Sequence, residues 1–152
     1  MIPPHRIRSL LLLLLLLRGS AGEVGSAASY RPPYIPTACY GDDTSQIPEN
    51  AEFAAAGQGI WDNGSACGRR YVVRCLSSST AKACVDGATV EVIIVDRAAG
   101  VRSQPSADGT TLALSQAAYR VIADLSAPEI NIELAVYVLS IKFNFSMRDN
   151  YV

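Results

Sequence analysis

Four aspartates and four cysteines are the side chains whose types and positions could support chemistry. Asp96 closes the most β-rich run of the chain, residues 88–96, and stands before a loop rich in glycine, serine and proline. A carboxyl group at such a strand end can be raised in pKa by burial and can then donate a proton. The alternative is a structural carboxylate bonded to backbone amides of the following loop. Asp42 and Asp43 fall in the polar loop 41–48, where solvation is the simpler reading. Asp62 opens the turn Asp62-Asn63-Gly64, which it would cap. Cys39, Cys67, Cys75 and Cys84 form either two disulfides, with three connectivities open, or a four-thiolate zinc site. The chain has no C-x-x-C pair, which counts against zinc, and no metal or cofactor is expected.

The N-terminus decides which of these chemistries survive. Arg6 and Arg8 precede an unbroken run of eight leucines at residues 10–17, and small residues follow Arg18, with Ala21, Ala27 and Ala28 as the candidate cleavage positions. Eight residues span about 12 Å as a helix, well short of a ~30 Å hydrocarbon core. The pattern is that of a secretory signal, assigned to residues 1–28 with the mature start near Ser29. Its removal takes away His5, the only histidine. Ser-His-Asp and Cys-His catalysis, and histidine-ligated metal sites, are then excluded by inventory. The remaining chain has 10 basic and 13 acidic side chains, so it presents no electrostatic case for nucleic acid. An oxidising compartment favours disulfides over thiolate ligands. It also gives meaning to the sequons at Asn63 and Asn144.

The elements that must position these residues are short. Residues 30–36 form an extended aromatic and proline segment that cannot be helical. Residues 49–57 read either as one helical turn or as a small-residue strand in a tight barrel. Strands are predicted over 70–76, 88–96, 111–114 and 130–138. Ser115 is a good N-cap for a helix through Ala123, with Ala118, Val121 and Ile122 facing the core. Many short strands with one late helix imply a compact β-barrel.

The stretch from Gly59 to Tyr71, Gly-Ile-Trp-Asp-Asn-Gly-Ser-Ala-Cys-Gly-Arg-Arg-Tyr, resembles the central motif of EG45-like domain proteins. That family includes the plant natriuretic peptides and is similar to the first domain of expansins. Segments at 33–41, 92–97 and 114–123 agree in the same order, and residues 130–133 look like the family's closing strand. The resemblance covers about residues 29–134, leaving 135–152 as an apolar C-terminal tail that would add an edge strand or stay irregular. It implies a mainly β fold: a six-stranded double-psi β-barrel with one or two short helices. It also implies the pairings Cys39–Cys67 and Cys75–Cys84. Many relatives carry an extra cysteine pair where this chain has Arg97-Ala98-Ala99-Gly100.

The resemblance bears on function as well. Asp96 resembles the acid of expansin-like domains, but inverting endoglucanases of this barrel type also need a base about 6.5–9.5 Å away. The matching segment 28–40 holds no acid, so Asp96 is read as a vestigial acid and the protein as a non-enzyme. Tyr34, Tyr40 and Trp61 could stack on sugar rings, although Trp61 also suits the core beside the Cys39–Cys67 bridge. Arg69 and Arg70 form a small basic cluster suited to an acidic polymer or a receptor, or else a solvated strand end. With Asp62 and Asp96 these complete the candidate binding residues. The expectation is a secreted, monomeric, apoplastic protein with a role in water and solute homeostasis, acting through a cell-surface receptor. Binding of a cell-wall polysaccharide is the alternative, and weak glycanase activity through Asp96 is a third. No membrane span is expected.

Overall fold

The structure is a computed structural model that describes residues 22–98 and 110–137. The leucine run, the loop 99–109, the sequon at Asn144 and the tail from residue 138 lie outside the described residues. Six strands close into a mixed barrel: β1 (Glu23–Tyr30), β2 (Phe53–Ala56), β3 (Arg70–Ser77), β4 (Val90–Arg97), β5 (Leu112–Ser115) and β6 (Ile130–Val136). Their order around the barrel is β1-β5-β2-β4-β3-β6. The pairings β1–β5 and β2–β4 are parallel and the other four antiparallel. This is the double-psi barrel implied by the resemblance. Two short helices accompany it, α1 (Gln58–Trp61) and α2 (Gln116–Ile122).

Period-two burial explains the antiparallel strands. In β6, Ile130, Ile132 and Leu134 face inward, while Asn131, Glu133 and Ala135 face the other side. Strand β2 does not alternate, because every residue of Phe53-Ala-Ala-Ala is buried. Ala54 and Ala56 join the inner core with Val73, Val92, Ile94, Leu112 and Leu114. Phe53 and Ala55 join a second cluster with Tyr30, Val95, Ala98 and Ala113. A strand covered on both faces shows no periodicity, which is why residues 49–57 were ambiguous in sequence. Gly57 follows β2 where a Cβ would lie 2.1 Å from the Thr110 carbonyl oxygen, so only glycine fits that crossing.

Helix α2 starts as expected. Ser115 Oγ accepts from the Ala118 amide at 3.2 Å and donates to the Ala51 carbonyl at 2.6 Å. Its core face is Ala118, Tyr119 and Ile122, whereas Val121 is only half-buried. The buried Tyr119 hydroxyl donates to the Ala127 carbonyl at 2.8 Å, and desolvation pushes its pKa up to about 12.

Strand β1 was not anticipated. Glu23 through Ala27 pair with β6, and Ala27 through Tyr30 pair with β5, so six barrel residues precede the expected boundary at Ser29. Alanine, glycine and serine dominate this strand, and such a composition is equally that of a leader's end.

Candidate functional site

Both disulfides have the pairing that the resemblance implied, Cys39–Cys67 and Cys75–Cys84, with Cα separations of 5.6 and 5.4 Å. The thiols are thereby consumed, and the described residues hold no cluster of three or more metal-binding side chains. The zinc alternative falls with them.

The Cys39–Cys67 bridge sits where the proline-rich segment returns to the barrel. Cys39 donates its amide to the Val95 carbonyl at 3.2 Å, and Gly68 donates to the Ile94 carbonyl at 2.9 Å. This double attachment brings the loop over the end of β4 and over Asp96. Asp96 is 7% exposed as a residue, and its Oδ1 accepts from the amides of Ala38 and Arg97, each at 2.8 Å. Burial raises its pKa, while the two amides pull it down without cancelling the shift. Among the described residues no second carboxylate contributes to that shift. Asp96 ties a loop to a strand end, the alternative that its sequence context left open.

The aromatics expected to stack on sugars are differently placed. Tyr34 is edge-on to Tyr30 and Phe53, with ring centroids at 5.1 and 4.8 Å, and its hydroxyl donates to the Tyr30 carbonyl and accepts from the Gln116 amide. Tyr40 packs half-buried against the same outer cluster. Trp61 is half-buried against the inner core, which Cys39 also flanks, and the Arg97 guanidinium lies 5.9 Å from its ring centroid. Below this layer Tyr30 is fully buried, and its hydroxyl has no hydrogen-bond partner among the described residues. Desolvation and the charge of Asp96 push its pKa far up.

Arg69 and Arg70 do not act as a cluster. Arg69 precedes β3 and Arg70 opens it, and each arginine has its own acid: Arg69 faces Asp62 at 3.7 Å and Arg70 faces Glu91 at 3.2 Å. Arg69 also donates to the Tyr71 hydroxyl and the Ser65 carbonyl, both at 3.4 Å; the Tyr71 bond, ahead of Asp62, raises its pKa further. Asp62 and Asn63 both adopt left-handed conformations, φ 50° and 51°, in an exposed turn after α1. Asp42 and Asp43 are exposed; two bonds from Ser45 lower the pKa of Asp43.

Among the described residues, one open groove does not count Asp96 in its lining. A groove of about 560 Å³ is lined by Glu23, Gln58, Asp62, Arg69, Tyr71 and Val136, among others. Of the expected binding residues it gathers Asp62 and Arg69. Glu23, Gln58 and Tyr71 were missed: Glu23 stood in the assumed leader, and nothing local marks the other two. The groove offers two carboxylates, a guanidinium and an amide to a hydroxyl-rich or charged ligand. No helix among the described residues is long and apolar enough to cross a membrane.

A family model described as lytic transglycolase matches residues 54–134. EG45-like domain containing protein 2 of Arabidopsis thaliana is 38% identical over 110 residues, which cover 71% of this chain and 75% of the relative. An EG45-like domain containing protein of Citrus jambhiri is 34% identical over 124 residues, covering 80% and 86%. Among solved structures, a mutant expansin of Clavibacter michiganensis in complex with cellohexaose superposes with a TM-score of 0.56 at 21% identity, covering 77% of this chain. The apo form of that expansin gives 0.55 at 20% identity, covering 78%. This chain spans about half the length of those expansins, 50% and 51%, and the likeness to them is one of fold. With its closed barrel, its two bridges and these relatives, the chain belongs to the EG45-like domain family.

Proposed function

We propose that the protein is secreted and works outside the cell as a non-catalytic, expansin-like recognition barrel that binds a wall polysaccharide along the groove at Asp62 and Arg69. One observation carries this reading: Asp96 is buried and its Oδ1 is engaged by two backbone amides, while an open, polar groove is lined by Asp62 and Arg69 and not by Asp96. A hydrolytic site needs an acid and a base facing a shared substrate. A binding site needs exposed donors and acceptors, which Arg69, Gln58, Asp62 and Glu23 supply. The complex of a fold-mate with cellohexaose supports a glycan as ligand. The disulfides and the leucine-rich N-terminus support an oxidising, apoplastic location.

The test is retention of the purified protein on cellulose and on a glycan array. Retention is expected to fall at least tenfold in Arg69→Ala with the unfolding midpoint preserved, and no reducing sugar should be released. Absence of retention on every glycan would overturn the reading. So would sugar release that Asp96→Asn abolishes.

A second reading is the role in water and solute homeostasis through a cell-surface receptor, with a partner surface around residues 39–75. The 48% exposed Val136 on the groove rim favours it, because an apolar rim suits a protein partner. Protoplast swelling that responds to nanomolar protein and is lost in Val136→Asp would support this reading; swelling unchanged at every dose would remove it.

A further inference from the structure

We propose that the leader is removed by hydrolysis of the Ala21–Gly22 peptide bond, so that the secreted protein begins at Gly22. The inference rests on the secretion reading and fixes where processing occurs. Strand β1 begins at Glu23, and its first five residues form the ladder to β6. Cleavage after Ala28 would remove six of its eight residues and part β5 from β6. It would also delete Ala27 and Ala28, which are 0% and 3% exposed. The Ser26 amide and carbonyl, which bond Thr111 Oγ1 and the Thr111 amide at 3.1 and 3.0 Å, would be lost as well. Residues 27 and 28 are small because they pack inside a narrow barrel, and that smallness imitates a cleavage signal.

Leader peptidases require small residues one and three positions before the scissile bond. Gly19 and Ala21 supply them directly after the leucine run and Arg18. The other half of the argument is electrostatic. A Cβ built on Gly22 would lie 2.6 Å from Glu133 Cγ and 2.8 Å from its Oε1, so Gly22 rests against that carboxylate and a larger residue would displace the Glu133 side chain. Glu133 is already ion-paired with Arg74, and Glu23 follows next in the chain. In the hydrolysis a water oxygen adds to the Ala21 carbonyl carbon and the C–N bond breaks. Ala21 leaves as a carboxylate, and the Gly22 nitrogen becomes an ammonium. That new cation is created on the residue that rests against Glu133, an opposite charge at the start of β1.

The full chain is translated with microsomes and expressed in a secreting plant cell line, and the N-terminus of the product is read by sequencing and intact mass. The expected product begins at Gly22, and Ala21→Arg is expected to remain unprocessed. A product that begins at Ser29 or anywhere else within β1, or unaltered processing of Ala21→Arg, would overturn the inference while leaving secretion intact. A chain that is neither translocated nor cleaved would remove the secretion reading and this inference with it.

Discussion

Asp96 and the groove are both built from charged side chains at strand ends, yet only one of them is open to a ligand. At Asp96 the loop fastened by Cys39–Cys67 folds over the strand end, and the carboxylate is consumed by two amides. At the groove Asp62 and Arg69 pair at 3.7 Å on an exposed surface, where such a pair is worth only about 0–1 kcal/mol and can rearrange toward a ligand. The difference lies in what the backbone demands. Asp96 serves as acceptor for two backbone amides that fasten the loop, whereas Asp62 and Arg69 pair with each other and Arg69 adds a bond to the Tyr71 hydroxyl.

The comparison can be broken most forcefully at the bridge. Replacing Cys39 and Cys67 by serine should cost about 3–4 kcal/mol on chain-entropy grounds for a 28-residue separation, against about 2–3 for the 9-residue Cys75–Cys84 pair. Urea unfolding of the two double variants measures both, and equal losses would contradict the loop-fastening account. Asp96→Ala comes next, with an expected loss of about 1–3 kcal/mol because two part-buried backbone amides lose their acceptor. Asp96→Asn keeps an oxygen acceptor and should stay within about 1 kcal/mol of the parent. If the alanine variant is as stable as the asparagine variant, Asp96 is not a structural tie.

A pH titration sharpens the same point. Because burial holds the folded-state pKa of Asp96 above the ordinary 3.8, its stabilising contribution is complete below pH 3.8 and is lost as pH rises through the folded value. Comparing denaturation midpoints from pH 3 upward should reveal this decline in the parent and its absence in Asp96→Asn. Arg69→Ala should shift stability by less than about 1 kcal/mol while lowering ligand retention at least tenfold, the reverse of the pattern at Asp96. Smallest of all, Tyr30→Phe removes a buried hydroxyl that has no partner among the described residues, so thermal unfolding should move by under about 1 kcal/mol, and upward.

Much of the barrel was readable in advance because strands β3, β4 and β6 and the cap at Ser115 carry local signals: alternation, β-branched runs and an oxygen at the N-cap. Strand β1 was not, since a strand of small residues following a leader has the composition of the leader's own end. Residues 49–57 stayed ambiguous because burial on both faces erases periodicity. The site was less legible still. Asp96 was identified as important, but whether its carboxyl faced solvent or amides depended on Ala38, 58 residues earlier. Arg69 and Asp62 were visible as charges, yet the groove they share also needs Glu23 from the start of β1 and Val136 from the end of β6.

The sequence by itself determined the inventory: four cysteines, no histidine beyond the leucine run, the strand-forming segments and the EG45-like motif order. These depend on residue type and on neighbours a few positions away. Which acid would be spent and which left exposed was decided by tertiary structure alone. Closure of the barrel brings β1 to β6 and the bridged loop onto β4, and hydrogen bonding and solvent exposure are fixed only once those distant segments meet.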